Sequence, residues 1–486
     1  MIVVIADDLA GAAEMGGMAW RYGLAAEVVA SLTARPPPWQ EFAAGADVDL
    51  IAIDTDTRSC TAEEAARRVA DVAARCRERG AMHPGEHVRG EHVRMDACVF
   101  KKVDSVLRGQ VVAELAALLE TWGKQRCLLV PANPGLGRVI SGGQYYVHGK
   151  PLHETDFARD PEYPAATSDV VCRLAEGEGK KGKRGKGEGV GVWGCGGVGG
   201  CGWPVQVLRP GEAIPERGIA VGEATSDADL AAWAGALDES IMPAGASEFF
   251  AAFLRAKGLH EKAPPEAEFT RQTVERVAGF RGMELFVCGS TSSYSRSLCE
   301  RCAAHGVPVL RMPPGLGEPI RVEIDSGAGV GTRRSAMPAF RRTPHLIQEW
   351  ADAVVRALEC HARAVVAIDR PLCADPADQS IRGMPQVLGG HLSAVVEQVL
   401  SRQPVDRLFV EGGATAAALV RQLGWERLRV CREWATGVVS MHAERVPPAG
   451  RARPLLTMKP GSYAWPDEIL ALLFVQGQAS WTTATP

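Results

Sequence analysis

The chain has 486 residues, 46% of them hydrophobic and 23% charged, an ordinary globular balance with length for two to four domains. Lys and Arg number 54 against 58 Asp and Glu, a formal net charge of −4, so the bulk balance offers nothing to a polyanion and nucleic acid is not an expected partner. The 13 Cys are scattered from Cys60 to Cys431 rather than gathered into a disulfide framework, and no run of about 18 uninterrupted apolar residues is present to span a bilayer. Met1-Ile-Val-Val-Ile-Ala enters an apparent strand without a basic region, apolar segment and cleavage site, so a cytoplasmic protein free of the membrane is expected.

Short apolar runs alternate with amphipathic stretches of helical length, the pattern of parallel sheets covered by helices. Ile2 to Ala6, Leu50 to Ile53, Ala97 to Val103 and Cys127 to Pro131 are predicted strands, with Thr61 to Arg79 and Gln110 to Trp122 as helices between them. Met242-Pro-Ala-Gly-Ala looks like a loop, and a second alternating series follows in Leu285 to Cys288, Val307 to Met312, Ala364 to Asp369 and Arg407 to Val410. The expected fold class is α/β, with two domains that each carry a mainly parallel sheet flanked by helices. The first would span 1–237, a linker 238–280, the second 281–475 and a tail 476–486.

Two segments do not suit a packed core. Gly85-Glu-His-Val-Arg is repeated at once from Gly90, most simply a loop expansion, with His87 and His92 as surface side chains rather than metal ligands. Residues 176–203 are rich in Gly and Lys with almost no apolar surface, too little to offset the entropy of ordering, and are expected to be a flexible insertion. Gly177 to Lys183 has the glycine and lysine spacing of a P-loop, but Arg184 stands where the magnesium-binding hydroxyl belongs and no strand precedes it. Cys299, Cys302 and His305 have metal-capable side chains at helical spacing, yet no second pair completes a tetrahedral site, so no metal centre is expected.

Chemistry concentrates at the strand ends. The first ends in Asp7-Asp8, the second in Asp54-Thr-Asp56-Thr-Arg58, and the third in Lys101-Lys102-Val-Asp104-Ser-Val-Leu-Arg108. Carboxylates, hydroxyls and cations thus converge on the carboxyl edge of one sheet, where open α/β folds bind ligands. Such a set suits a small polyhydroxy acid, its carboxylate taken by cations and its hydroxyl protons by carboxylates. In the second half, Glu411-Gly412-Gly413-Ala414-Thr415 and Cys288-Gly289-Ser290 each follow a strand and open a helix, an arrangement that lets phosphate oxygens reach free backbone N–H groups. Together they suggest phosphoryl transfer.

Ile5-Ala-Asp-Asp-Leu-Ala-Gly-Ala, Lys101-Lys-Val-Asp-Ser-Val-Leu-Arg-Gly, the stretch from Tyr146 to Asp160, Gly289-Ser290, Gly412-Gly-Ala-Thr415 and Met458-Lys-Pro-Gly461-Ser-Tyr resemble, in order, the blocks of the four-carbon acid sugar kinase family. The resemblance runs from Ile2 to about Leu473. It implies a two-domain kinase using ATP and Mg2+ on threonate, erythronate or 3-oxo-tetronate type acids, with the acid sugar on the N-terminal domain and the nucleotide on the C-terminal one. Carried over, nucleotide contacts fall on Ser290, Gly412, Gly413, Ala414, Thr415 and Gly461, and the acid-sugar side draws on Asp7, Asp8, Asp56, Arg58, Lys102, Asp104, Arg108, His153 and Glu154. Asp104 or Asp8 would be the general base, while Lys102, Arg58 and Arg108 would orient the substrate carboxylate or stabilise the transferring charge. A homodimer is one possible assembly.

The chain departs from the family pattern at Ala10 and Val106, where Thr is usual, and at Ala414, where Glu is usual. The first two losses predict a less polar substrate pocket and an acid other than the ordinary tetronates. All three leave open a non-catalytic ligand-binding member of the same family.

Overall fold

The computed structural model describes residues 1–30, 48–82, 98–160, 162–176, 202–262, 282–290, 293–316, 344–369, 384–444, 454–461 and 463–474. The duplicated pentapeptide, residues 177–201 of the Gly/Lys-rich insertion, the linker from 263 to 280 and the tail lie outside them. Met1–Lys262 with Trp425–Arg445 form one compact unit, and Ala263–Gly424 with Val446–Pro486 form the other.

The first unit begins β1 (Ile2–Ala6), α1 (Leu9–Arg21), β2 (Ala26–Val29), β3 (Leu50–Asp54), α2 (Ala62–Met82), β4 (Cys98–Lys102), α3 (Val111–Trp122) and β5 (Arg126–Val130). It continues through β6 (Arg138–Ser141), β7 (Gln144–Val147), β8 (Lys150–Pro151), α4 (Val170–Glu176), β9 (Val205–Leu208), β10 (Gly218–Gly222), α5 (Asp227–Gly235), β11 (Ile241–Gly245) and α6 (Ser247–Ala256). The second unit holds β12 (Met283–Cys288), α7 (Ser293–Ala304), β13 (Val309–Arg311), α8 (Pro344–His361), β14 (Arg363–Ala367), α9 (Met384–Leu400), β15 (Val405–Glu411) and α10 (Gly413–Leu423). The chain then returns to the first unit with β16 (Arg427–Ala435) and β17 (Val438–Ala443), and closes in the second with β18 (Leu455–Lys459) and α11 (Asp467–Phe474).

In the first unit the strands lie in the order β17-β16-β2-β3-β1-β4-β11-β5-β10-β9, parallel from β2 to β9 and antiparallel at β16 and β17. Every residue of β1, Ile-Val-Val-Ile-Ala, is buried, as a strand covered by helices on both faces requires. The chain builds away from β1 on one side with β3 and β2 and on the other with β4, so the order switches beside β1, where such sheets open a crevice at their carboxyl edge. A separate antiparallel sheet, β6-β7-β8, follows β5. In the second unit β13-β14-β12-β15-β18 are all parallel, and Phe286 of β12 stacks on Phe409 of β15 at 4.2 Å with Trp465 edge-on to both.

The predicted strands and helices agree with those observed to within a few residues, but the linker does not begin at 238. Met242-Pro-Ala-Gly-Ala belongs to β11, a central strand, and the boundary moves to Lys262. Pro243 is tolerated because its missing donor falls on the β4 side, where pairing starts only at Ala244 with Lys101; the Ala246 N–H, three residues on, donates to Val130 of β5. A Cβ at Gly245 would lie 2.3 Å from the Val130 carbonyl oxygen, so the residues that suggest a loop are demanded by close strand packing. Phe249, Phe250 and Phe253 of α6 then pack around Phe100 of β4, with ring centroids 4.8 to 6.0 Å away. The expected flexible segment is also narrower at its ends: Glu176 closes α4, and Trp203 is buried under the Arg217 guanidinium. No described helix is long and apolar enough to cross a membrane.

Candidate functional site

The carboxyl ends of β1, β3 and β4 bring together most of the acidic and basic residues singled out in the first unit. The loop after β3 is clamped onto the end of β1: the Thr55 hydroxyl donates to the Ala6 carbonyl at 2.8 Å, and the Thr57 and Arg58 N–H groups donate to the Asp7 carbonyl at 3.0 and 3.2 Å. This fixes Arg58, whose Nε and Nη2 donate to the two Asp7 oxygens at 2.8 and 3.0 Å and whose Nη1 donates to Asp8 at 2.5 Å. Arg108 does the same for Asp104, through Nε at 3.0 Å and Nη2 at 2.7 Å, while its Nη1 reaches Asp160 at 3.0 Å. Asp104 also accepts from the Val106 and Arg108 backbone N–H groups, each at 3.1 Å. Two non-glycine residues beside the cluster, Asp56 and Leu107, hold positive φ of 49° and 60°, backbone strain of the kind stored at functional sites.

The three carboxylates are not electrostatically alike. Burial raises the proton affinity of each, but at Asp7 the Arg58 and Lys101 charges outweigh it, and at Asp104 those of Arg108 and Arg58 do so more strongly, leaving both below the ordinary Asp range. At Asp8 burial prevails over Arg58, with Asp7 adding repulsion, and the carboxyl is pushed up. Asp8 is also the most open of the three, its side chain 22% exposed against 4% for Asp7 and 7% for Asp104. It caps α1 by accepting from Gly11 N–H at 2.7 Å, and a Cβ at Gly11 would lie 2.9 Å from that carboxylate oxygen.

Lys102 is buried beneath the cluster, paired with Glu14 of α1 at 3.3 Å, and Lys101 is paired with Glu114 of α3 at 2.6 Å. Asp56 is more peripheral, its carboxylate 3.8 Å from Arg68 on α2. His153 and Glu154 are not joined to the cluster: among the described residues His153 bonds Ser168 at 2.7 Å and lies 3.8 Å from Glu154. Sequence reasoning passed over Asp160, Glu14 and Glu114. Asp160 ends the motif that starts at Tyr146, but it meets Arg108 across 52 residues, a pairing no local pattern announces.

In the second unit β15 ends at Glu411 and α10 begins at Gly413, with Gly412 at the N-cap in the left-handed region (φ 102°) and no side-chain cap. The Gly412 N–H is engaged by the Lys459 carbonyl at 3.0 Å, which leaves the first N–H groups of α10, from Gly413 to Thr415, without intrahelical acceptors. Gly289, Ser290, Gly412, Thr415 and Gly461 come together here. A Cβ on Gly461 would stand 3.9 Å from both Gly412 Cα and Ser290 Oγ, and one on Gly289 would be 1.8 Å from Thr415 Oγ1, a spacing only glycine permits. Ala414 is exposed on the first turn of the helix. Below the turn, fully buried Glu411 lies 3.6 Å from fully buried Lys459; burial pushes the Glu411 carboxyl up and the Lys459 ammonium down, each opposed by the other's charge.

Cys299 and Cys302 are buried in α7, where burial pushes the Cys302 thiol up to about 12, and His305 Nδ1 bonds the Arg301 carbonyl at 2.8 Å. Among the described residues no three His, Cys, Asp or Glu side chains are placed to hold a metal ion.

Residues 2–253 match the model of the sugar-binding N-terminal domain family. The chain is 27% identical to a D-threonate kinase of Cupriavidus necator over 90% of this chain and 89% of that one, and 24% identical to a 3-oxo-tetronate kinase of Methylobacterium radiotolerans over 95% and 96%. A D-erythronate kinase of Heliobacterium modesticaldum is 36% identical over 35% of each chain. A solved structure from Haemophilus influenzae shares the fold, with a TM-score of 0.57 at 18% identity over 97% of this chain and 100% of that one. With a family model that covers more than half of its length and full-length likeness to these kinases, the chain belongs to the four-carbon acid sugar kinase family, phosphotransferases acting on sugar acids.

Proposed function

We propose that the protein is an ATP-dependent kinase that phosphorylates the terminal hydroxyl of a small, about four-carbon, sugar acid, the acid binding to the first unit and the nucleotide to the second. The observation that carries this reading is the carboxylate and guanidinium cluster at the edge of β1, β3 and β4, in which one carboxylate, Asp8, is both the most open and the most basic. A general base needs access and a proton affinity near its working range. Asp104, with two bonds from Arg108 and two from backbone N–H groups, has neither and instead holds Arg108 in place. Asp8 would therefore take the proton of the attacking hydroxyl as its oxygen bonds the γ-phosphorus and the bond to the β-phosphate oxygen breaks.

The second unit suits a nucleotide's phosphates. Gly412 at the N-cap, the free N–H groups of Gly413 to Thr415, the Ser290 hydroxyl and side-chain-free Gly461 leave backbone donors and a helix dipole open to an anion. Bound there, ATP with Mg2+ would supply the phosphoryl group and neutralise charge on its oxygens.

Incubation of the protein with ATP, Mg2+ and a panel of tetronic and pentonic acids tests this reading. ADP release above background and a phosphorylated acid by mass spectrometry are expected for at least one member. A protein that binds nucleotide yet releases no ADP with any acid would overturn it.

A further inference from the structure

Arg58 and Arg108 stand on different loops, after β3 and after β4, yet one segment of chain beyond β8 meets them both. The Tyr163 hydroxyl donates to the Arg58 carbonyl, and Asp160 Oδ2 accepts from Arg108 Nη1 at 3.0 Å. These two groups are tied to each other, because Asp160 Oδ1 accepts from the Tyr163 N–H at 2.8 Å and from the Glu162 N–H at 3.0 Å. Asp160 thus folds its own turn with one oxygen and holds a guanidinium with the other. Arg58 Nη2 lies 3.8 Å from Asp104, which Arg108 binds in turn, so the contacts close a ring through Arg58, Asp104, Arg108, Asp160 and Tyr163.

The segment has anchors of its own. Buried Arg173 of α4 donates through Nη1 to the Pro164 carbonyl at 2.9 Å and through Nη2 to the Tyr163 carbonyl at 3.0 Å, and the Ala165 N–H donates to the Phe157 carbonyl at 2.9 Å. Burial pushes the half-buried Tyr163 hydroxyl up to about 12, so it stays a donor at neutral pH; Gln110 at the start of α3 also acts on it. The Arg58 backbone has little slack: its N–H donates to the Asp7 carbonyl at 3.2 Å, its carbonyl takes Tyr163, and a Cβ at Gly109 would lie 3.4 Å from its Cα. A cluster of long, alternately charged side chains keeps a productive geometry only when the points that carry them are fixed by surrounding bonds.

We propose that Asp160 and Tyr163 form one brace that sets both arginines of the cluster, and with Arg58 the carboxylate of Asp8. Both are positioning residues, and their effect on turnover rests on the kinase reading above. Asp8 is faced by Arg58, Asp7, Lys102 and the Gly11 N–H. A drift of Arg58 withdraws positive charge from Asp8 and raises its proton affinity.

The test uses two variants that change few atoms. Tyr163→Phe removes the hydroxyl, and Asp160→Asn keeps an oxygen but loses the charge. With the best acid, kcat should fall about 3- to 10-fold in the first and about 10- to 100-fold in the second, the ranges for a neutral and a charged hydrogen bond. The acid limb of kcat should move to higher pH in Tyr163→Phe, a displacement that lost stability alone does not produce. Because the two residues act as one, the double variant should lose less than the product of the single losses. Losses that multiply, an unchanged kcat or an unmoved acid limb would overturn the proposal. If the wild-type protein turns over no acid, the kinase reading fails and the brace is decided by labelling with phenylglyoxal, an arginine-selective reagent, read by peptide mass spectrometry. Either variant should quicken labelling of both Arg58 and Arg108 by about 3-fold or more, since each loosens the whole ring. Faster labelling of the directly bonded arginine alone, or of neither, refutes it.

Discussion

The two candidate sites use the same device, the turn between a parallel strand and a helix, in opposite ways. After β1 the helix α1 is capped by the Asp8 carboxylate, which accepts from Gly11 N–H at 2.7 Å; after β15 the helix α10 is capped by Gly412, which offers no side chain. The positive end of a helix attracts an anion in both cases. In the first unit the protein supplies that anion itself, inside a network of Arg58, Asp7 and Asp104, and the site is made of side chains. In the second the donors are left over, and the site is made of backbone. Side-chain chemistry should therefore be sensitive to isosteric changes of charge, and backbone chemistry to the addition of a single methyl group.

The largest expected effect separates the carboxylates within the first site. Asp8→Asn keeps an oxygen to cap α1 but cannot accept a proton, so turnover should fall by about 100- to 10,000-fold while ADP affinity stays within a few-fold. Because burial pushes the Asp8 carboxyl up, and the ionised form is the base, wild-type turnover should rise with pH through a midpoint above the ordinary Asp range, and that acid limb should vanish from the residual activity of the variant. Stopped assays from pH 4.5 to 8 read both quantities. Should Asp8→Asn retain turnover while Asp104→Asn loses it, the base is Asp104 and the comparison of proton affinities has misled.

A smaller effect is expected from one methyl group in the second site. Gly412→Ala places a Cβ on a residue at φ 102°, a conformation L side chains rarely adopt, so the turn must shift and carry the first N–H groups of α10 with it. ADP affinity by calorimetry should weaken by about 10-fold or more, with binding of the acid unchanged. Wild-type affinity in this variant would mean that phosphate does not use this turn.

What could be read without the structure follows the range of the interactions. The strands β1, β4 and β15 were legible because their apolar runs, Ile2 to Ala6, Cys98 to Phe100 and Leu408 to Val410, are local, and the Asp7-Asp8 and Gly412-Gly413 turns because each motif lies within a few residues. β11 was not, since Pro243 and Gly245 are loop residues by local preference and become strand residues only through Val130 and the late start of the β4 ladder. Residue identities at the first site were legible, but their pairing was not. Arg58 meets Asp7 across 51 residues and Arg108 meets Asp160 across 52, so a list of cations could not say which were already satisfied.

The smallest effect tests a position whose sequence expectation the structure reverses. Val106 stands where the family usually has Thr, and from sequence it should line the substrate pocket. Instead its side chain is 1% exposed within the hydrophobic cluster of the first unit, and what it gives to the site is its backbone N–H, which donates to Asp104 at 3.1 Å. Val106→Thr preserves shape and that N–H but buries a hydroxyl, at a cost of about 1 to 2 kcal/mol, read as a Tm lower by a few degrees. The ratio of kcat/KM between D-threonate and D-erythronate should move by less than about 2-fold, since a side chain turned into the core has no substrate oxygen to hold. A ratio shifted 10-fold or more would place the Val106 side chain in the pocket after all and return substrate choice to this loop.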